Sequence, residues 1–288
     1  MSTPAPPSDS ALPPAAATAA HSAVLNPPSS SSDSPSAPVD GDSTGDKTVF
    51  DSPADFTLKH PLYSPWTLWF DSASKQDKAK SWDDALSKVV SFQSVEDFWG
   101  LYNNIIPPSL LSANSNYYLF KEGIKPAWED PANAQGGKWS VQLPRGKYTE
   151  QIDAYWLYTM LAAIGETFET PFSHSTPSDS SETPASDAPS PAPLPSSFSN
   201  EITGVIVSAR KAFYRINIWT RTAGSPTVGD ELREKVDNIG RHFKYGVLAF
   251  EAGKPAFNEK DKVSSDVEFV SHKDSQAKYG TKVPKWTV

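Results

Sequence analysis

Residues 202–222 read "ITGVIVSARKAFYRINIWTRT", and this stretch predicts a β-hairpin. Two runs rich in β-branched and aromatic residues flank a polar turn near Lys211 and Ala212, which is the usual signal for two antiparallel strands. Alternate residues of a strand point to opposite faces. The apolar face of the second run consists of Tyr214, Ile216 and Ile218, and the opposite face of Phe213, Arg215, Asn217 and Trp219. We expect the apolar face to pack in a core and the aromatic, basic face to be available to a ligand.

Three more runs predict strands, at residues 60–71, 87–93 and 138–143, because they are rich in aromatic and β-branched residues. The last of them reads "KWSVQL" and alternates strictly between apolar and polar residues. Its predicted buried face consists of Trp139, Val141 and Leu143.

Three longer segments, at residues 94–106, 151–168 and 229–246, carry apolar residues at helical spacing. The first opens with Ser94 as a predicted N-cap and Asp97 three residues later, an approximate capping box. The second is apolar on more than one side, so it either lies deep in a core or presents apolar surface to a partner. The predicted buried stripes of the first and third helices are Val95, Phe98, Tyr102 and Ile105, and Leu232, Val236, Ile239 and Phe243.

Short strands and separate amphipathic helices predict an α+β fold with the helices on one face of an antiparallel sheet. Two segments lie outside this pattern. Residues 1–46 carry nine Pro and five acids, residues 171–200 carry seven Pro and three acids, and neither contains Lys or Arg. Such segments cannot bury enough apolar surface to offset the entropy of ordering. We expect a disordered tail and, within a single domain at 47–288, a disordered inserted loop.

The charge and the cysteine content restrict the possible functions. Without the eight acids of the tail and the insertion, the formal charge of −8 becomes zero, so an anionic ligand is not excluded. The absence of cysteine excludes disulfides, Cys-type zinc sites and thiol catalysis. No basic signal region and no membrane-length apolar run are evident. We expect a cytoplasmic protein, which could also enter the nucleus, without a membrane partner.

Nine tryptophans are present, and two of them lie in hydrophilic surroundings. Trp82 lies in the polar run "KQDKAKSWDDALS", and Trp128 lies in "GIKPAWEDP", between two prolines. Large aromatic residues in polar loops suggest recognition rather than packing. The four tryptophans that lie in apolar patterns, and that we expect in the core, are Trp66, Trp69, Trp139 and Trp156.

Two indoles on separate loops can hold a flat ring between them, and the indole face attracts positive charge. Glu129, beside Trp128, can accept two parallel N–H bonds, which the N1 and N2 atoms of guanine supply. Methylation at N7 makes that base cationic. Arg210, Arg215 and Lys138 could hold a phosphate chain. The residues therefore indicate a methylated guanine nucleotide with several phosphates.

The chain resembles the translation initiation factor 4E family, which binds the 7-methylguanosine cap of messenger RNA. The resemblance covers about 60–170 and 201–286 and rests on several motifs in order: "HPL" with "WTLWF", "DKAKSW", "SVEDFWGLYNNI", "YYLFKEGIKPAWED", "GGKW", "YWLYTMLAAIGE", "INIWT" and "IGRHFK". It implies a strongly curved antiparallel sheet, with three helices on the convex face and the cap slot on the concave face. It further implies that Trp82 and Trp128 sandwich the methylated base, that Glu129 pairs with its edge and that Trp219 lies near the methyl group.

The resemblance also implies a second surface, on the convex side. There the family receives a helical motif from the scaffold initiation factor 4G and from 4E-binding repressor proteins. The matching positions in this chain are His60, Pro61, Val95, Trp99, Leu157, Tyr158 and Leu161. Tyr158 stands where an acid is usual in the family, and Lys138 stands where arginine is more usual.

Three other interpretations remain open. The chain could be a cap-binding repressor of translation, or a carbohydrate-binding module with tryptophan platforms, although such a module would not need paired arginines. Glu129 and Asp130 could form a glycosidase pair, but adjacent carboxylates on one loop point different ways. His60, His242 and His272 are isolated and lack metal-ligand spacing. With no nucleophile beside a base, we expect no enzymatic activity, metal or cofactor.

Overall fold

An antiparallel sheet of eight strands organises the described part of the chain. The computed structural model describes residues 46–73, 81–173, 200–224, 227, 229–250, 266–275 and 284–288. The strands are β1 (Pro61–Asp71), β2 (Ser87–Ser94), β3 (Ser115–Lys121), β4 (Gly137–Pro144), β5 (Ile202–Ala209), β6 (Phe213–Thr220), β7 (Glu268–Ser271) and β8 (Trp286–Thr287). Their order across the curved sheet is β2-β1-β3-β5-β6-β4-β7-β8.

Three helices of two or more turns accompany the sheet in this part of the chain: α2 (Val95–Tyr102), α4 (Ile152–Ile164) and α5 (Glu231–Arg241). The last continues as a π-helical turn, His242–Val247. Shorter helices are α1 (Trp82–Ala85), α3 (Arg145–Tyr148) and α6 (His272–Ser275). The predicted cap of α2 is confirmed, because the Ser94 hydroxyl accepts the Asp97 N–H at 3.1 Å. The predicted α+β class is also confirmed.

The hairpin predicted from residues 202–222 is confirmed as β5 and β6. Ala209 pairs with Tyr214, and the Arg210 N–H donates to the Phe213 carbonyl at 2.9 Å to close the turn. Tyr214, Ile216 and Ile218 are fully buried, as their face of the strand predicts. This hairpin lies at the centre of the sheet, between β3 and β4.

Side chains of alternate strand residues form two apolar clusters, one on each face of the sheet. The larger cluster contains the helices, with Phe98, Trp156, Val236, Ile239 and Phe243 packed against Trp66, Trp139 and the apolar face of β6. The smaller cluster, on the other face, consists of Tyr118, Phe120, Ile206 and Trp219. The helices therefore cover one face and leave most of the other available for a site.

Trp139 shows how closely the helices approach the sheet. Its indole N–H donates to the Val236 carbonyl of α5 at 2.8 Å. A Cβ atom at Gly240 would lie only 2.5 Å from the Trp139 ring, so this position of α5 requires glycine.

We predict that Gly240→Ala lowers the free energy of unfolding by about 1–3 kcal/mol, the usual cost of overpacking a core. Chemical denaturation would measure it, with the exposed Gly146→Ala as control because no atom lies within 4 Å of a Cβ there.

Four predictions of burial or local structure are wrong. Val95 and Leu232 are 37% and 45% exposed, and each lies in the first turn of its helix. Trp69 is half-buried in the smaller cluster, because strand alternation places its side chain on the other face of the sheet from those of Trp66 and Leu68. Trp82 begins the one-turn helix α1, rather than lying in an irregular loop.

Strands β3, β7 and β8 were not predicted from their sequence patterns. All seven residues of β3 are buried, so its "SNYYLFK" pattern lacks the polar alternation of a half-exposed strand. β8 contains only two residues, and Trp286 is held by a bond from its indole N–H to Asp237 at 2.9 Å.

The predicted tail and most of the predicted insertion lie outside the described residues, so the domain limits remain predictions. No helix in the described ranges is long and apolar enough to cross a membrane.

Candidate functional site

A pocket of about 410 Å³ lies on the sheet face opposite to the helices. It contains all seven residues that the sequence predicts for the nucleotide: Trp82, Trp128, Glu129, Lys138, Arg210, Arg215 and Trp219. They come from α1, from the β3–β4 loop, from β4 and from the central hairpin. The sheet therefore brings together residues that are far apart along the chain.

The two tryptophans at the mouth of the pocket are partly exposed, Trp82 at 38% and Trp128 at 37%. The Ser81 hydroxyl caps α1 by accepting the Asp84 N–H, and Tyr118 packs edge-on against the Trp82 ring at 6.2 Å. An ion pair of 2.7 Å between Asp83 and Lys125 joins the Trp82 and Trp128 segments. Since that pair is exposed, it contributes little stability, but it links the two indole-bearing segments.

The loop that carries Trp128 and Glu129 is fixed from within. The Asp130 carboxylate accepts the Lys125 N–H at 2.8 Å and the Ala132 N–H at 2.9 Å. Asn133, which is fully buried, donates to the carbonyls of Lys125 and Ala127. The roles of Asn133 and Asp130 in holding this loop were not predicted from the sequence. The Pro-x-x-x-x-Pro spacing of the loop was the available signal for rigidity, but it does not identify these partners.

The other end of the pocket is cationic. Arg215 and Lys138 have lowered pKa values, chiefly because burial disfavours their charged forms, and also because Arg210 lies near Arg215 and Arg215 near Lys138. The buried Nε atom of Arg215 has no hydrogen-bond partner. In the described ranges no carboxylate lies within ion-pair distance of Lys138, Arg210 or Arg215. Uncompensated positive charge in a concave site favours a polyanionic ligand.

Trp219 lines the pocket from β6 and is only 5% exposed. Its ring packs edge-on against Phe120 at 5.5 Å and lies 4.2 Å from the His272 ring. Burial, with a smaller effect of the Lys138 charge, lowers the pKa of His272 to about 3, so this imidazole is neutral at physiological pH. Trp219 therefore adds well-packed apolar surface to the pocket.

Five of the seven residues predicted for a protein partner line two separate cavities rather than one. His60, Val95 and Trp99 line a groove beside α2 and β2, whereas Tyr158 and Leu161 line a smaller pocket of about 280 Å³ beside α4. Pro61 and Leu157 line neither cavity. The exposed members of the set are His60, Pro61, Val95, Trp99 and Tyr158, and the half-buried members are Leu157 and Leu161.

His60 and Glu96 fix one edge of this surface. The Glu96 carboxylate accepts the His60 backbone N–H at 2.8 Å and lies 2.6 Å from the His60 Nδ1 atom. The His60 side chain is the main cause that lowers the pKa of Glu96 to about 2.

No group of three or more potential metal ligands occurs among the described residues.

Comparisons with known proteins identify the family of this chain. The family model described as Eukaryotic initiation factor 4E matches residues 61–285. Eukaryotic translation initiation factor 4E of Saccharomyces cerevisiae is 39% identical over 206 residues, which cover 72% of this chain and 79% of the relative. Initiation factor 4E-1 of Schizosaccharomyces pombe is 35% identical over 236 residues, with coverage of 82% and 86%.

Two solved structures are also similar. That of Ascaris suum eIF4E-3 with the m7G cap has a TM-score of 0.54 and 30% identity, covering 78% of this chain and all of that chain. The complex of Caenorhabditis elegans eIF4E-3 with the 4E-binding protein Mextli has a TM-score of 0.55 and 30% identity, covering 76% and 96%. Since the family model extends over most of the described sheet and helices, the chain belongs to the eukaryotic initiation factor 4E family.

Proposed function

We propose that this protein binds the 7-methylguanosine cap of messenger RNA and recruits a 4G-type scaffold factor to begin cap-dependent translation. One observation carries the proposal: a single pocket has two exposed indoles and a carboxylate at one end and, at the other, three cations that form no ion pair with any described carboxylate. Only a ligand that is a flat cation at one end and a polyanion at the other uses both. Cap-bound structures of relatives support the same ligand.

The base binds between Trp82 and Trp128, where the faces of both indoles attract its positive charge. Glu129 accepts the two N–H bonds of the guanine edge, and these charge-assisted bonds distinguish guanine from bases without that donor pair. Trp219 contributes apolar surface near the methyl group. The phosphate chain then extends along Arg210, Arg215 and Lys138, where Arg supplies forked donors and Lys a point charge.

The second surface binds helical segments of the scaffold factor and of 4E-binding repressors. An amphipathic helix laid across Trp99, Leu157 and Leu161 would bury their apolar side chains. The relative from C. elegans whose structure contains the 4E-binding protein Mextli supports this class of partner.

Three further features belong to the proposal. The protein acts by binding and is not an enzyme, as the initiation-factor family supports. It works in the cytoplasm and could also enter the nucleus. The third is the division of the chain into a single domain at 47–288, a tail at 1–46 and an insertion at 171–200, which rests on the Pro-rich composition of the last two segments. A carbohydrate-binding module is not favoured, since a neutral sugar gains nothing from the cationic end of the pocket.

Replacing Arg210 by alanine should lower the affinity for 7-methyl-GTP about tenfold, the scale of one charge-assisted hydrogen bond. The affinity for 7-methylguanosine, which has no phosphate, should change little. Loss of one cation should also make 7-methyl-GTP binding less dependent on salt. Titration of tryptophan fluorescence with both ligands measures these effects.

The exposed neighbour Lys211 does not line the pocket, so Lys211→Ala is the matched control and should leave both affinities nearly unchanged. Equal losses for the two ligands in Arg210→Ala would show that Arg210 lies away from the phosphates.

Retention on immobilised 7-methyl-GTP tests the proposed function itself. The protein should elute with free 7-methyl-GTP and remain bound in the same concentration of GTP. Elution by neither nucleotide, or by both alike, would contradict cap binding.

A further inference from the structure

Asp71 is a fully buried carboxylate that does not line the pocket. It ends β1 and pairs directly across the sheet with Asn116 of β3. The Asn116 amide N–H donates to one carboxylate oxygen at 2.5 Å, and the Tyr118 hydroxyl donates to the other at 3.2 Å. Burying a carboxylate is costly unless such bonds compensate for lost water. These two donors are therefore strongly held.

Both donors line the pocket, but they serve different ends of it. The Asn116 side-chain carbonyl accepts a bond from the Arg210 guanidinium at 2.9 Å, at the cationic end. The Tyr118 ring packs edge-on against Trp82, at the aromatic end. Burial, and then the charge of Asp71, raise the pKa of Tyr118, so its hydroxyl stays protonated and continues to donate.

The carboxylate also fixes which way the Asn116 amide points. An ionised carboxylate only accepts hydrogen bonds, so the NH₂ group must face Asp71. The carbonyl oxygen of the same amide must then face Arg210. The neutral Asn116 side chain lies between the negative charge of Asp71 and the positive charge of Arg210. The other hydrogen bonds of Arg210 go to backbone carbonyls, such as that of Ala209 at 3.0 Å. Arg210 is oriented without being neutralised.

We propose that Asp71 is a positioning residue of the nucleotide site, which orients Arg210 through Asn116 and Trp82 through Tyr118. This role rests on the proposed cap binding. Asp71 touches no ligand itself, and a single buried carboxylate aligns the aromatic and the cationic ends of one pocket.

The variant Asp71→Asn keeps the size of the side chain but replaces an acceptor oxygen by an NH₂ donor. Either the Asn116 amide or the Tyr118 hydroxyl then meets another donor. We expect the affinity for 7-methyl-GTP to fall about tenfold, the scale of a lost bond to a charged group, and that for 7-methylguanosine about threefold. Tyr118→Phe removes only the aromatic connection and should lower both affinities equally.

A double-mutant cycle with Arg210→Ala distinguishes positioning from general destabilisation. If Asp71 acts through Arg210, its extra effect on the phosphate-bearing ligand should vanish when Arg210 is absent. In that background Asp71→Asn should weaken 7-methyl-GTP and 7-methylguanosine by the same factor. The same tenfold loss in both backgrounds, or equal losses for the two ligands in the parent background, would overturn the proposal.

If Asp71→Asn does not fold, Asn116→Ser interrupts the same connection on the Arg210 side and should show the same difference between ligands. Equal losses for both ligands in that variant would overturn the role of Asp71. A parent protein that fails to bind 7-methyl-GTP would overturn the proposed function, and the role of Asp71 with it. A parent that binds normally, with variants that show no difference between ligands, would overturn the role of Asp71 alone.

Discussion

Trp99→Ala should abolish binding of a 4G-type helical peptide while cap affinity stays within about threefold, since distant sites affect each other little. Trp99 is 38% exposed, and the neighbouring Phe98, at 1%, is the residue that fixes α2 to the core. The helix can therefore keep its packing without the indole. Large aromatic residues at the centre of an interface commonly contribute about 2 kcal/mol or more.

Calorimetry with the peptide and with 7-methyl-GTP measures both effects. Ile106→Ala is the matched control, because Ile106 is an exposed apolar residue that follows α2 but does not line the groove. A Trp99→Ala protein that melts several degrees lower and loses both ligands would show that Trp99 is a core residue, and the partner surface would have to be reassigned.

Glu129→Ala should cost about 2 kcal/mol or more of cap-binding free energy, the scale of hydrogen bonds to a charged group. Glu129 is exposed at the pocket, and its loop is held by Asp130 and Asn133 instead. The Glu129 carboxylate can therefore face a ligand at little cost to the fold. Glu129→Ala should lower the affinity for 7-methyl-GTP and 7-methylguanosine alike, with an unchanged melting temperature.

Asp130 is the natural comparison, because the adjacent carboxylate accepts two N–H bonds of its own loop. Asp130→Ala should lower the melting temperature and weaken the cap less than Glu129→Ala does. Isothermal titration and thermal melting of both variants provide the test. If Asp130→Ala weakens binding more while the melting temperature stays constant, Asp130 is the base-reading carboxylate.

Much of the site could be predicted because its signals are local. Trp82 and Trp128 stand out as large aromatics in polar sequence, and the buried face of β4 can be read from strict alternation. The parts that were missed depend on distant neighbours. The bond from Asn116 to Asp71 joins residues 45 positions apart, and no spacing pattern identifies it. The Asp83–Lys125 ion pair likewise joins residues that lie far apart in the sequence. Strand β3 was missed because a strand buried on both faces has no alternation.

The affinity ratio between 7-methyl-GTP and GTP tests the central claim most directly. The two ligands differ by the methyl group and the positive charge that it places on the base, so the ratio isolates the interaction with Trp82 and Trp128. Titration of tryptophan fluorescence should show 7-methyl-GTP binding more tightly by at least about 1–2 kcal/mol, the range for a desolvated cation on an aromatic face. Equal affinities would contradict the assignment of this pocket to the methylated cap.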